Sequence, residues 1–214
     1  MQVSKKGRFV YINPPRTGTT KIWNAARSAF PDLWQPLGKN NKQVTKRHGT
    51  IWKDEWEDFF IFLTVRNPYT RAVSIWHRWV DYIQNRKPEM RKLLKNGNIT
   101  FSDMVCHKDP FFITTLRGHC CFNYTKPVPR IDHVIHLETL AKDWPKLVEA
   151  VPAFKKINLR ERVNASKSPK AKIPWHEHYN EQAIELIEKA FARDFDAYGY
   201  NRNFDQVREG KIFA

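Results

Sequence analysis

Residues 8–30 read RFVYINPPRTGTTKIWNAARSAF, a strand-like run, a turn and a helical repeat in direct succession. Phe9, Val10, Tyr11 and Ile12 form a short run with β character, and the segment predicts a strand over Arg8–Asn13. Downstream, Ile22, Trp23, Ala26, Ala29 and Phe30 recur at helical spacing, which predicts a helix over Thr19–Phe30. Between the two lies NPPRTGTT, rich in proline and hydroxyls around a single glycine, Gly18. A strand that turns through such a loop into a helix presents backbone N–H groups and the positive end of the helix dipole to an anion. The Walker A pattern, with two glycines and a Lys directly before Ser or Thr, is absent. The loop therefore suits an anion without being the usual nucleoside triphosphatase loop.

Beyond residue 30, strand and helix signals keep alternating. PDLWQPLGKNNK (31–42) reads as loop, a short strand follows near Gln43–Arg47, and GTIWKDEWEDF (49–59) reads as a brief helix. Phe59–Val65, FFIFLTV, is nearly continuous in apolar residues, as expected of a central strand buried on both faces. Pro68 then suits the first turn of a helix that continues through TRAVSIWHRWVDYI (70–83). Residues 87–129 are the least legible, and read as a helical and loop insertion or lid within one domain spanning 1–214. DHVIHLETLAKDWPKLVEA (132–150) restores strand-then-helix order. NEQAIELIEKAFARDFDAYGY (180–200) is one strong amphipathic helix, with Asn180 as its cap and Gly199 beyond its end. Such alternation predicts an α/β fold with a central, mostly parallel sheet flanked by helices.

The composition limits the partners. With 37 Lys and Arg against 22 Asp and Glu, the 214-residue chain carries a formal charge of +15, which favours anionic ligands without choosing among them. Three cysteines, two of them adjacent at Cys120 and Cys121, make a poor disulfide framework and point to a reducing compartment. GHCC (118–121) lacks a second ligand pair at zinc spacing, so no metal is expected. No segment approaches a membrane span, and the N-terminus lacks the apolar core of a signal peptide. The expectation is a soluble, cytoplasmic protein.

A mostly parallel sheet places ligands beyond the carboxyl ends of its strands. Two segments fall there: NPPRTGTT after the first strand and RNPYTRAVS (66–74) after Phe59–Val65. In the first, Thr17, Gly18, Thr19 and Thr20 offer backbone N–H groups and hydroxyls, and Arg16 adds a guanidinium fork. In the second, Arg66 stands at the strand tip, and Arg71, Ser74 and Arg78 share one helical face that suits a second phosphate.

These segments resemble the two phosphate motifs of sulfotransferases that use 3′-phosphoadenosine 5′-phosphosulfate (PAPS). PPRTGTTKIW resembles their 5′-phosphosulfate loop, and VRNPYTRAVSIW their 3′-phosphate motif, an Arg followed eight residues later by a Ser. RHGTIWKDEWEDFFIFLTVRNPY, DHVIHLETLAKDW, RVNAS and FARDFDAYGY are similar to further elements of the carbohydrate branch. The resemblance runs from about Phe9 to Tyr200 and leaves 87–129 unmatched. It implies a P-loop-like three-layer fold and transfer of a sulfonate from PAPS to an acceptor hydroxyl, expected to be a carbohydrate's. Arg16, Thr17, Gly18, Thr19 and Thr20 would grip the 5′-phosphosulfate, Arg66 and Ser74 the 3′-phosphate, and Asn164, Ser166 and Lys167 would close over the nucleotide. His48 would be the general base, in keeping with imidazole's near-neutral pKa, and Arg16 would help the leaving group. Glu55 is the alternative base, with His77, His107 and His119 as weaker ones.

Two departures from the family pattern stand out. Many members carry Lys where Arg16 stands, and Arg stays charged, so only electrostatic help is implied. Leu137 occupies the place where some relatives set an aromatic ring against adenine, leaving Trp23 or Trp52 as substitutes. Since secretory relatives usually carry a membrane anchor, the reading expects a bacterial, viral or trimmed form. Two rival readings share the features above. A P-loop kinase of a small molecule would need the missing Walker Lys. A non-catalytic basic protein that binds nucleotides or polyanions would use the eight tryptophans and the positive charge, although no sequence-specific nucleic-acid motif is present.

Overall fold

Apolar runs of period two and period 3.6 alternate along the chain, and the elements follow them. The computed structural model describes residues 1–33, 52–86, 100–108, 111–126, 128–157 and 173–214. In chain order, strands β1 (Gln2–Ser4) and β2 (Phe9–Ile12) lead to helix α1 (Thr19–Ala29). A 3-10 turn at Asp54–Trp56 precedes β3 (Phe60–Val65) and α2 (Pro68–Arg86). Short helices α3 (Phe101–Val105), α4 (Phe111–Gly118) and α5 (Cys121–Thr125) follow, then β4 (His133–His136) and α6 (Leu140–Ala150). Helices α7 (Glu181–Ala190), α8 (Ala192–Ala197) and α9 (Phe204–Arg208) end the order. The expected strand near Gln43–Arg47 lies outside the described residues.

The chain divides into two compact units, Met1–Arg66 with Cys121–Ala165, and Asn67–Cys120 with Ser166–Ala214. The first holds the sheet, in the order β1-β2-β3-β4. β2, β3 and β4 are mutually parallel, with Ile12 opposite Leu63 and Val65 opposite His136, and β1 is an antiparallel edge strand on β2. β1 was not legible: three residues carry too little pattern to separate them from the lysines that follow. Its turn is fastened by side chains, since Asp32 accepts the Lys6 N–H at 2.9 Å and Ser4 Oγ accepts the Gly7 N–H at 2.8 Å.

One face of this sheet, formed by Phe9, Tyr11, Phe62 and Ile135, packs on Ile22 and Ala26 of α1, Leu147 of α6, and Phe30 and Phe154. Tyr11 and Phe62 stack at 4.7 Å, and Phe9 meets Phe30 edge-on at 4.8 Å. The alternate residues Val10, Ile12, Ile61, Leu63 and Val65 are also fully buried. Burial on both faces is why β3 reads as an unbroken apolar run. At the edge where the strands begin, Asp132 accepts the Ile61 N–H at 2.7 Å and Arg130 Nε at 2.8 Å, which holds β4 beside β3.

The second unit is helical among its described residues. Tyr69 packs against Trp175, Tyr179, Phe195 and Phe204, and its hydroxyl donates to Glu188 at 2.6 Å. α3 carries a full capping box between Thr100 and Asp103, so part of the illegible 87–129 stretch is ordinary capped helix. Asn180 caps α7 through the Ala183 N–H at 2.8 Å, as expected. The single helix expected over 180–200 is instead broken at Phe191, where φ is −110° and ψ is 17°. Phe191, Asp194 and Phe195 are all buried across that break. No described helix is long and apolar enough to cross a membrane.

Candidate active site

In the first unit, three chain segments leave the sheet at the same edge. The loop from Asn13 follows β2, Arg66 follows β3, and Leu137 follows β4, its N–H bonded to the Val65 carbonyl at 3.0 Å. This is the carboxyl edge, where a parallel sheet binds ligands.

Within the loop, Arg16 has φ 66° and Gly18 has φ 80°. A left-handed conformation is natural for glycine and costs other residues about 1 kcal/mol, so Arg16 is held in a strained form. Gly18 is also the cap position of α1. It makes no side-chain cap bond, and the first turn of α1 contains no acidic residue. The positive end of the helix dipole therefore faces no carboxylate of that turn, the arrangement that favours an outside anion.

The threonine hydroxyls are arranged differently from expectation. Thr17, fully buried, donates to the Pro14 carbonyl at 2.9 Å, and Thr19 donates to the same carbonyl at 3.0 Å. A hydroxyl has one proton to give. Both are committed inside the loop, whereas Arg16 and Thr20 are exposed.

Arg66 is half-buried at the tip of β3. In the helical unit, Ser74 lies in the second turn of α2 and is 8% exposed. Arg71 departs from the shared basic face read from the sequence. It is fully buried, its guanidinium pairs with Asp194 at 3.2 Å, and Nη2 donates to the His119 carbonyl at 2.5 Å. Its charge serves packing, not a phosphate. Arg78 is exposed.

The alternative bases separate in the same way. Glu55 is ion-paired with Lys5 at 3.7 Å and Lys53 at 3.8 Å, on the turn that leads into β3. That places it at the edge where β2 and β3 begin, opposite the loop. His77 belongs to the helical unit, with its ring 5.5 Å from that of His178, and His107 and His119 belong to that unit as well. His48, Asn164, Ser166 and Lys167 lie outside the described residues. Among the described residues no group of three or more His, Cys, Asp or Glu is placed to hold a metal ion.

Leu137 touches the loop itself: a β-carbon built on Gly18 would stand 2.5 Å from Leu137 Cδ1. The turn carrying Leu137 is braced by Asp143, which accepts the His136 N–H at 2.9 Å, the Thr139 hydroxyl at 2.9 Å and His136 Nδ1 at 3.3 Å. Burial by itself would raise this carboxyl, but the three donors together hold it below the ordinary carboxylate value. Sequence reading missed this brace, and also missed Thr64, a lone hydroxyl inside an apolar strand and the one signal available for it.

A family model described as the sulfotransferase family matches residues 18–201, well over half of the chain. The chain belongs to the sulfotransferase family. The matched span opens at Gly18, inside the loop between β2 and α1, and takes in β3, Arg66 and Ser74. No curated protein and no solved structure shows a significant match. For this sulfotransferase the α/β architecture and the general reaction class agree with the reading of the motifs.

Proposed function

We propose that this sulfotransferase moves the sulfonate of PAPS to an acceptor hydroxyl of a carbohydrate. The observation that carries the reading is the pairing, on one sheet edge, of the left-handed Gly18 loop without a side-chain cap and Arg66 on the adjacent strand tip. The fit to a doubly phosphorylated nucleotide rests on the donor set: backbone N–H groups, guanidinium charge and no carboxylate in the first turn of α1.

PAPS supplies an activated sulfonate on a phosphate leaving group. The Thr17–Thr20 backbone holds the 5′-phosphosulfate, and Arg16 offsets the charge that develops as the leaving phosphate departs. Arg66, with Ser74 of the same motif, is assigned the 3′-phosphate, the group that distinguishes PAPS from other adenine nucleotides. Asn164, Ser166 and Lys167 are assigned to closing over the cofactor. His48 removes the acceptor proton as general base. The protein's part is to align the reacting groups and neutralise charge, as in phosphoryl transfer. A sulfonate carries less charge than a phosphoryl group, so the reading requires no metal.

Titration calorimetry tests the donor assignment. The purified protein should bind 3′,5′-adenosine bisphosphate (PAP) more tightly than 5′-AMP, and Arg66→Ala should erase most of that preference. Equal affinity for both nucleotides in the wild type contradicts it. A radiolabelled-sulfate transfer screen over glycans, phenols and small alcohols, with His48→Ala as control, identifies the acceptor class and the base.

A further inference from the structure

Beneath the anion loop runs a chain of buried hydroxyls that no part of the proposed chemistry uses. Tyr11 OH lies 3.0 Å from Thr64 Oγ1, and Thr64 Oγ1 lies 2.8 Å from Thr17 Oγ1. Thr17 donates to the Pro14 carbonyl at 2.9 Å, and Thr19 donates to it at 3.0 Å. Tyr11 and Thr17 are fully buried and Thr64 is 1% exposed.

The proton directions along this chain are determined. Thr17 gives its only proton to Pro14, so Thr64 must donate to Thr17. Thr64 has then spent its own proton, so Tyr11 must donate to Thr64. Burial raises the Tyr11 phenol well above its ordinary value, which keeps it a donor across the working pH range. The order is Tyr11 to Thr64 to Thr17 to the Pro14 carbonyl, and each step has one sense.

We propose that Thr64 is a positioning residue for donor binding, acting through Thr17 and Pro14 to hold the anion loop in its binding conformation. The inference rests on the loop being the 5′-phosphosulfate site. Two properties of the loop call for such an anchor. Arg16 sits at φ 66°, a conformation that relaxes unless its surroundings enforce it. The Pro14 carbonyl is an acceptor within a loop meant for an anion, and two hydroxyls occupy it. Releasing either constraint lets the backbone N–H groups turn away, or lets a carbonyl dipole turn toward the phosphate. Thr64 is two residues before Arg66 on β3, so the same strand end supports the loop and carries the proposed 3′-phosphate residue.

The test uses binding of PAP and 5′-AMP, since both present a 5′-phosphate to the loop and only PAP presents a 3′-phosphate. Thr64→Val keeps the branched shape and removes the hydroxyl. It should weaken both nucleotides about five- to tenfold and leave their affinity ratio unchanged. Thr64→Ser, which keeps the hydroxyl, should restore binding. Tyr11→Phe removes only the far end of the chain, keeps the Thr64-to-Thr17 bond, and should bind within about twofold of wild type. The Tyr11→Phe, Thr64→Val double variant leaves no unsatisfied phenol and guards against misfolding of the single variant. It should remain weakened at a melting temperature close to that of Tyr11→Phe.

Wild-type affinity in Thr64→Val, failure of Ser to rescue, or a loss confined to the PAP-to-AMP ratio each overturns the positioning role. Equal wild-type affinity for PAP and 5′-AMP, with both weakened by Thr64→Val, overturns the PAPS assignment and leaves the positioning role standing. Absence of binding to either nucleotide overturns both.

Discussion

Leu137 rests on Gly18 so closely that a β-carbon at position 18 would lie 2.5 Å from Leu137 Cδ1. Glycine is required at this position by its φ of 80°, whereas the contact is with the flexible end of Leu137, which can turn aside at small cost. Gly18→Ala should lower stability by about 1–2 kcal/mol and weaken PAP binding by more than tenfold. Adding Leu137→Ala relieves the contact but not the backbone, so the double variant should recover only part of the loss. Chemical denaturation and calorimetry on the three variants check this; full recovery would show that the contact alone mattered.

The buried pair of Arg71 and Asp194 makes the opposite kind of prediction, large in stability. Removing one partner leaves the other charge buried, which typically costs about 3–5 kcal/mol. Arg71→Ala and Asp194→Ala should each lower the melting temperature sharply. Arg71→Lys should rescue poorly, because one ammonium cannot match a fork that meets both Asp194 and the His119 carbonyl. An Arg71→Met, Asp194→Leu double variant should be more stable than either alanine variant. Circular dichroism melts decide among these outcomes.

Asp143 links the β4–α6 turn to pH. Its pKa in the folded protein lies below that of the unfolded chain, so its stabilising contribution is fully present above the unfolded value, about 3.9. That contribution is lost as pH falls through the lower, folded value. Asp143→Asn should therefore be less stable than wild type near neutrality, and the gap should close in acid below the ordinary carboxylate range. Urea unfolding at a series of pH values measures it, and a gap that widens in acid would contradict the assignment.

None of the three cysteines, Cys106, Cys120 and Cys121, is joined in a disulfide. Cys120 is buried and donates to the Ala190 carbonyl at 3.1 Å. Burial first, and then the charge of Asp194, pushes it up to about 12, so thiolate is scarce at pH 8. Burial and Asp103 also raise Cys106, but that side chain is only partly covered. Brief iodoacetamide treatment of the folded protein should label Cys106 ahead of Cys120, with Cys120 reacting after denaturation. Peptide mass spectrometry reads the order directly.

What the sequence determined on its own is whatever neighbouring residues settle among themselves. β2, the turn at Gly18 and α1 were legible because an apolar run, a glycine and a helical repeat follow one another within 22 residues, 9–30. β3 announced itself by its apolar run, and the α7 cap by an asparagine placed before a periodic helix. Other features waited for tertiary structure, because they depend on partners far away in the chain. Thr17 turns inward to meet Thr64, 47 residues on, and Arg71 leaves the basic face for Asp194, 123 residues on. Leu137 faces the loop because parallel pairing brings the ends of β2, β3 and β4 to one edge, and that pairing places Glu55 at the other. A sequence shows which groups are available. Burial and long-range pairing decide which of them are spent on the fold.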